Sequence, residues 1–353
     1  MWEKIEQKHG YPVLPLLRRE LLNVLYEQLP NNDTVVRFEA EVANCEVYDN
    51  GVRVHLKDGT VEEGSIVVGA DGTHSRVRQV MEDLQMKENR RASKTVMAAN
   101  YQSIYAVGPN RLGIPDGVFY EMRGSGIAAN LVTTPTEMIL ILYRRLPTAA
   151  LTHTYYTIEQ MNEFAASFFD TTVAPGVKFG DIWGDFDKAS ARLVNQEEGF
   201  AKLWHHGRIA LLGDSATRTT SITGLGLNLG LHSAALLANE LQKCLVSDKT
   251  PDTSVLSQLF ERWFVYIQCP HQRSRSKECK QVFDYGYTRV RTVTWRNWGY
   301  WAFDRFISRL ISLDRLLKAS ICPMISDGQI LSYVPFEGKE TAIPWRRAPD
   351  ITL

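Results

Sequence analysis

The chain has 353 residues, of which 44% are hydrophobic and 23% charged, enough to bury a large core and to form two lobes. Forty Lys and Arg residues balance forty Asp and Glu, and a net charge of zero carries no nucleic-acid footprint. Cys45, Cys244, Cys269, Cys279 and Cys322 are scattered with neither a CxxC pair nor metal-ligand spacing, and Met1 to Gly10 is charged rather than apolar; both features imply reduced thiols in an intracellular protein without a secretory signal or a metal site.

In chain order, Leu17–Leu29 (LRRELLNVLYEQL) places apolar residues at helical spacing, with Arg18 near the start. Val35–Leu56 alternates as strands, and Asp49-Asn50-Gly51 is a hairpin signal within it. Ser65–Arg78 (SIVVGADGTHSRVR) reads as an apolar strand, a turn built on Gly69, Asp71 and Gly72, and a basic helix for which Asp71 or Ser75 supplies the N-cap. Val118–Arg145 contains three antiparallel strands, VFYEMRG, GIAANLV and MILILYRR, and Thr157–Phe169 is helical with Thr157 as its cap.

The most informative stretch is Arg208–Ala234 (RIALLGDSATRTTSITGLGLNLGLHSA). Ile209–Leu212 is a short, continuously apolar strand of the kind buried in a parallel sheet, and Gly213 ends it. Asp214 then puts a carboxylate at the carboxyl edge of that sheet, where open α/β folds bind ligands and where it can accept bonds from ribityl or ribose hydroxyls. Gly224 and Gly226 let the backbone approach a flat ligand, and Asn228 opens a helix to about Leu245 whose positive end faces the site.

Helices return after Asp252. In Trp295–Leu317 five charges, Asp304, Arg305, Arg309, Asp314 and Arg315, interrupt the apolar residues. A membrane span needs about 20 mostly apolar residues. The spacing of Trp295, Trp298, Trp301, Phe303, Phe306, Leu310 and Leu313 instead suggests one amphipathic helix that packs on the body or lies in a membrane interface.

Other chemistries find little footing. Thr217 stands where a GxSxG nucleophile elbow requires its second glycine. His205 and His206 are adjacent, so their side chains point apart, and no HExxH or carboxylate partner follows. His74 and His232, each at the edge of a motif, either touch a ligand or serve as structural histidines. No residue is assigned as catalytic; Tyr101 or Tyr120 could orient a substrate or belong to the core.

Gly213, Asp214, Gly224, Gly226 and Asn228 together resemble the second flavin-binding motif of the class A FAD-dependent monooxygenases, the aromatic hydroxylase family. Where that family usually has His, Pro, Gln and an acidic pair, this chain has Thr217, Ser221, Leu225, His232 and Ser233. GADGTHSRVR resembles the family's Asp-Gly motif near the pyrophosphate, linked to nicotinamide cofactor use, and Arg18 with Leu21 resembles its Arg-x-x-Leu helix, whose Arg meets the flavin nucleotide. The three motifs occur in the family's order. Phe179–Trp204, Tyr287-Thr288-Arg289 and Leu331–Pro335 are similar to the fungal epoxidases of meroterpenoid and indole-diterpene pathways.

The resemblance implies an α/β fold: an FAD-binding Rossmann-like domain over 1–92 and 204–250, a substrate-binding antiparallel sheet inserted at 93–203, and a helical C-terminal region at 251–353. It implies FAD as cofactor and NAD(P)H as co-substrate, with Arg18, Asp71, Asp214, Gly224, Gly226, Leu227 and Asn228 at the cofactor. NAD(P)H would reduce FAD, and dioxygen would then deliver one oxygen atom to an electron-rich carbon or alkene of a small lipophilic, terpenoid-derived substrate. No nucleic-acid partner is implied, and neither an oligomeric state nor peripheral membrane contact is fixed by the sequence. Only seventeen residues precede Arg18, too few for the βαβ unit of about 30 that carries the family's GxGxxG turn. The expected FAD-binding domain is therefore N-terminally truncated, as in a fragment or a truncated gene model, or the chain is a flavin-free homologue, inactive or binding a terpenoid without redox chemistry, which stands as the alternative function.

Overall fold

The computed structural model describes residues 2–89, 93–111, 113–268, 278–336, 338–339 and 341–346, so Cys269 lies outside the described residues. The chain starts with α1 (Trp2–His9), α2 (Arg18–Glu27) and the short α3 (Asn32–Val35). A meander of β1 (Val42–Tyr48), β2 (Gly51–Leu56) and β3 (Val61–Gly64) follows. The strand expected from Val35 thus begins only at Val42, because Asn31 adopts a left-handed backbone and Thr34 and Val35 bond back to its carbonyl as a helical turn. The hairpin turn is where the sequence puts it, with Tyr48 paired to Gly51 across Asp49-Asn50.

Next come β4 (Val67–Gly69) and α4 (Arg76–Glu88), then β5 (Ala98–Pro109), β6 (Phe119–Arg123), β7 (Ile127–Thr133) and β8 (Glu137–Ala150). Helix α5 (Ile158–Ala166) starts from a capping box in which Thr157 Oγ1 accepts from the Gln160 amide while the Gln160 side chain accepts from the Thr157 amide. The small hairpin β9 (Thr172–Ala174) and β10 (Val177–Lys178), the turn of helix α6 (Phe179–Trp183) and the long β11 (Arg192–Phe200) complete this half. The chain then runs through β12 (His205–His206), β13 (Ile209–Leu211) and β14 (Thr217–Arg218) into α7 (Gly226–Ser247), α8 (Thr253–Gln268) and α9 (Glu278–Val293).

Two sheets position the site. The larger has six strands in the order β14-β11-β5-β8-β7-β6, every pair antiparallel. One face packs Ile104, Leu131, Leu140 and Leu142 against Phe164, Phe168 and Phe179 of the α5–α6 region. The opposite face carries Tyr101, Ala128 and Tyr143 toward Ile222, Val290 and Val293. In the smaller sheet β13 pairs in parallel with β4, although about 140 residues separate them in sequence, and every strand of the six-stranded sheet except β14 comes from the chain between them. Its core joins Val77, Val80 and Met81 of α4 to Leu229 and Leu237 of α7 and to Leu256, Leu259, Phe260 and Trp263 of α8.

The segment expected as a single helix over Trp295–Leu317 is broken. It consists of α10 (Trp298–Ala302), a π turn at Phe303–Ile307, α11 (Ser308–Leu310) and, after an extended Ile311, α12 (Leu313–Ala319) capped by Ser312; α13 (Ile321–Ser326) follows. Trp295 precedes these helices with a φ of 45° and does not join them. Trp298, Phe306 and Leu310 remain 82%, 60% and 83% exposed, so this apolar face is not packed on the body. No helix among the described residues is long and apolar enough to cross a membrane.

Candidate functional site

The parallel pair β4 and β13 brings the two loop motifs to one edge. Leu212 donates its amide to the Gly69 carbonyl (2.8 Å), and Ser215 Oγ donates to the same oxygen (2.5 Å). From α4, Arg78 Nη1 donates to the Ser215 carbonyl at 2.7 Å and Nη2 to the Thr73 carbonyl at 3.0 Å. Asp71 and Asp214 therefore leave adjacent strands at their carboxyl ends, the position where open α/β sheets bind ligands.

Asp71 Oδ2 accepts from the amides of Arg76 (2.7 Å) and Val77 (3.0 Å), while Ser75 Oγ accepts from Arg78 N (2.9 Å). Both residues considered as the cap of α4 thus act at its start. Asp214 is exposed, and its carboxylate accepts no hydrogen bond among the described residues. Packing around that carboxyl group pushes its pKa up, and the nearby Arg18 guanidinium opposes the rise. Arg18, the first residue of α2, is itself exposed, so the predicted helix does bring its cation beside the Gly-Asp carboxylate.

The glycine loop has the backbone that only glycine adopts readily. Gly213 and Gly224 have φ of 63° and 68°, and a Cβ on either would meet no atom within 4 Å. Open space therefore adjoins both turns. Helix α7 begins at Gly226 rather than at Asn228, with Leu225 in the cap position and no side-chain cap bond. Asn228 lies in its first turn, and both Leu227 and Asn228 are exposed. No side chain among the described residues caps the first amides of α7, so its positive end is available to a ligand.

Buried hydroxyls surround this loop: Thr217, Thr219, Thr220 and Thr223 each hold a buried Oγ1 with no hydrogen-bond partner among the described residues. Thr217 also lines a cavity of about 10 Å³ with Trp204, Gly213, Gly226, Leu229, Gly230 and Ser233, room for about one water. Two departures from the family pattern, Thr217 and Ser233, therefore meet in one small void behind the loop. The open glycine turns, the free carboxylate and these orphaned hydroxyls fit a flat, hydrogen-bonding cofactor.

Sequence reasoning missed what holds the loop. Three strands of the large sheet pin it: Gln196 of β11 accepts from the Ser221 amide (3.0 Å), Tyr143 of β8 bonds Ser221 Oγ (3.0 Å), and Asn130 of β7 donates to the Ile222 carbonyl (3.2 Å). Ser103 of β5 continues the row by accepting from Gln196 Nε2 at 2.6 Å. Behind the row, Glu198 accepts two bonds from Arg291 of α9, at 3.1 and 2.9 Å, with both side chains buried. Arg218 forms a close ion pair with Glu197, and burial beside Arg78 brings its pKa down to about 10.

Of the histidines, His74 packs its ring 3.9 Å from that of His153, and burial, His153, Arg218 and Arg78 all lower its pKa. His205 and His206 turn to different acids, Glu261 and Glu88. Tyr101 is fully buried and its hydroxyl accepts from Thr294 Oγ1, a core position, whereas Tyr120 is half-buried on β6.

Comparison with known proteins identifies this arrangement. The FAD binding domain family matches residues 153–253. FAD-dependent monooxygenase srdH of Neurospora crassa is 37% identical over 98% of this chain and 79% of its own length. FAD-dependent monooxygenase esdpE of Penicillium shearii is 29% identical over 94% of this chain and 68% of its own length. Among solved structures, Klebsiella pneumoniae HpxO complexed with FAD and uric acid matches with a TM-score of 0.67 at 18% identity, over 90% of this chain and 74% of that one. A salicylate hydroxylase substrate complex matches at 0.60 and 16%, over 87% and 72%. The structures support the fold alone, and it is the expected α/β fold with a flavin-binding part and an antiparallel sheet. At 37% identity over nearly its whole length, the chain belongs to the FAD-dependent monooxygenases, a family of oxidoreductases.

Proposed function

We propose that this chain is an FAD- and NAD(P)H-dependent monooxygenase that epoxidises or hydroxylates a small lipophilic, terpenoid-derived metabolite. One observation carries the reading: an exposed carboxylate, Asp214, stands with Arg18 beside an open Gly213–Gly224 loop, and that loop is bonded directly to the large antiparallel sheet. The terpenoid class rests on the resemblance of Tyr287-Thr288-Arg289 and Leu331–Pro335 to the fungal epoxidases.

When bound, FAD would take a hydride from NAD(P)H and activate dioxygen, and the cofactor supplies that chemistry. The residues of this chain hold and shield it. Asp214 accepts hydrogen bonds from ribityl or ribose hydroxyls. Gly224 and Gly226 admit the ring to the backbone, and the first turn of α7, with Leu227 and Asn228, directs its positive end at negative charge on the ring. Arg18 and Asp71 serve the nucleotide side. The six-stranded sheet would shield the reacting carbon from water.

The test is a titration of the purified chain with FAD, followed by absorbance and flavin fluorescence. Bound flavin with perturbed bands is expected. A colourless protein with no shift in melting temperature at saturating FAD overturns the reading and favours the flavin-free alternative. Bonds to a charged acceptor are worth about 1.5 to 3 kcal/mol each, so Asp214→Ala should weaken FAD binding roughly ten- to hundredfold. An unchanged affinity would remove Asp214 from the site.

A further inference from the structure

The broken helix after Trp295 leaves an apolar surface that none of the described residues covers. Trp298, Trp301, Phe306, Ile307 and Leu310 are 82%, 41%, 60%, 49% and 83% exposed. The π turn brings two of them, Trp301 and Phe306, together. In a regular α-helix residues five apart point well away from each other, but the i→i+5 pattern over Phe303–Ile307 winds more residues into the turn. Trp301 and Phe306 consequently meet edge-on, with ring centroids 5.6 Å apart.

The charges around this face are one-sided. Asp304 is 6% exposed and is neutralised from within, by Arg123 Nη1 at 2.5 Å and Trp295 Nε1 at 2.8 Å. Asp314 is taken up by Lys8 at 2.6 Å and Lys318 at 3.1 Å. Arg305 and Arg309 are exposed and have no carboxylate partner among the described residues. What remains toward solvent is indole and aliphatic surface flanked by two guanidinium groups without a carboxylate partner among the described residues, that of Arg305 lying 5.8 Å from the Trp295 ring centroid. An apolar protein partner would gain nothing from those cations. A bilayer surface of anionic phospholipid satisfies both, with the apolar side chains at the acyl boundary and the Arg groups at the headgroups.

We propose that Trp298–Leu310 docks this protein on an anionic phospholipid membrane. The surface adjoins the large sheet. Gly124 and Gly126, in the β6–β7 turn, donate to the carbonyls of Val293 and Thr294 at 3.1 and 2.7 Å, and Arg123 of β6 grips Asp304. Docking therefore holds the β6–β7 edge of the sheet against the bilayer, where lipophilic compounds accumulate.

Co-sedimentation with phosphatidylcholine vesicles, with and without phosphatidylserine, tests this, with tryptophan emission recorded in parallel. The chain should pellet with the phosphatidylserine vesicles and its emission should shift to the blue. Trp298→Asp with Leu310→Asp should lower partitioning at least tenfold; both positions are more than four-fifths exposed, and unchanged circular dichroism and melting temperature would confirm folding. Arg305→Gln with Arg309→Gln should cost roughly thirtyfold on anionic vesicles and little on neutral ones. The proposal is overturned if the wild-type chain stays in the supernatant, or if the aspartate variant binds equally well. It is also overturned if sedimentation velocity shows a vesicle-indifferent dimer that the aspartate variant dissociates, because the face would then belong to a second copy of the chain.

Discussion

Arg208 is 2% exposed and donates five hydrogen bonds, four of them to carbonyl oxygens: Asp49 twice (3.1 and 2.7 Å), Ser65 (3.1 Å) and Pro251 (3.2 Å), with Thr253 Oγ1 at 2.8 Å as the fifth. No carboxylate pairs with it among the described residues. The guanidinium instead fastens the β1–β2 turn, the start of β4 and the start of α8 onto the strand that ends in Gly213-Asp214. Arg208→Met keeps the length but strands buried carbonyls, so urea denaturation should show a loss of about 3 kcal/mol. Arg208→Lys should recover only part of it, since an ammonium cannot reproduce the planar fork. Equal midpoints for wild type and Arg208→Met would show that water replaces the clamp.

Among the elements, the 3₁₀ turn at Ser221–Thr223 and the Gly224 turn after it depend on strands that arrive from far away in sequence. Tyr143 is wholly buried, which raises its pKa, and the hydroxyl stays protonated as the partner of Ser221 Oγ. Tyr143→Phe removes one bond worth about 1 kcal/mol. FAD affinity should fall about fivefold, with the melting temperature nearly unchanged; a large loss of stability with intact FAD binding would instead make the pair a core contact. This bond also shows where sequence reading stops. Gly213 and Gly224 were legible because their demand is local, a positive φ in a turn, and the N-caps of α4 and α5 were legible for the same reason. Strands β6 to β8 were legible from their apolar runs. Strand β11 was not, because Gln196, Glu197 and Glu198 erase the alternation. Their burial makes sense only once Ser103, Arg218 and Arg291 supply partners from other elements. The single helix expected over Trp295–Leu317 failed for a related reason: its periodicity could not register a π turn, or an extended Ile311 followed by a new cap at Ser312.

For the molecule as a whole, folding stability should decline in mild acid, and the histidines set the window. His9 of α1 and His205 of β12 both have lowered pKa values, in each case chiefly because burial disfavours the charged ring. For His205 the Glu261 carboxylate opposes the shift without cancelling it. In the unfolded chain both rings protonate near the ordinary value of about 6.5. As pH falls below that value the unfolded state binds protons that the folded state still refuses, so stability drops with pH until the lowered folded-state pKa values are reached. Urea midpoints should accordingly be flat from pH 8 to about 7 and fall steadily between about 6.5 and 5. His9 is 2% exposed and lies where α1 meets the C-terminal helices, a junction that includes Ile5, Leu317 and Cys322. Its share can be isolated with His9→Asn, which does not titrate in this range. The variant should be less stable than wild type at pH 8, and the gap should narrow as pH falls, because only the wild type still loses stability through this ring. Midpoint curves that run parallel from pH 8 to 5 would mean that His9 charges as easily inside the fold as outside it, and the acid sensitivity would then have to come from the other histidines with lowered pKa values, His205 and His74.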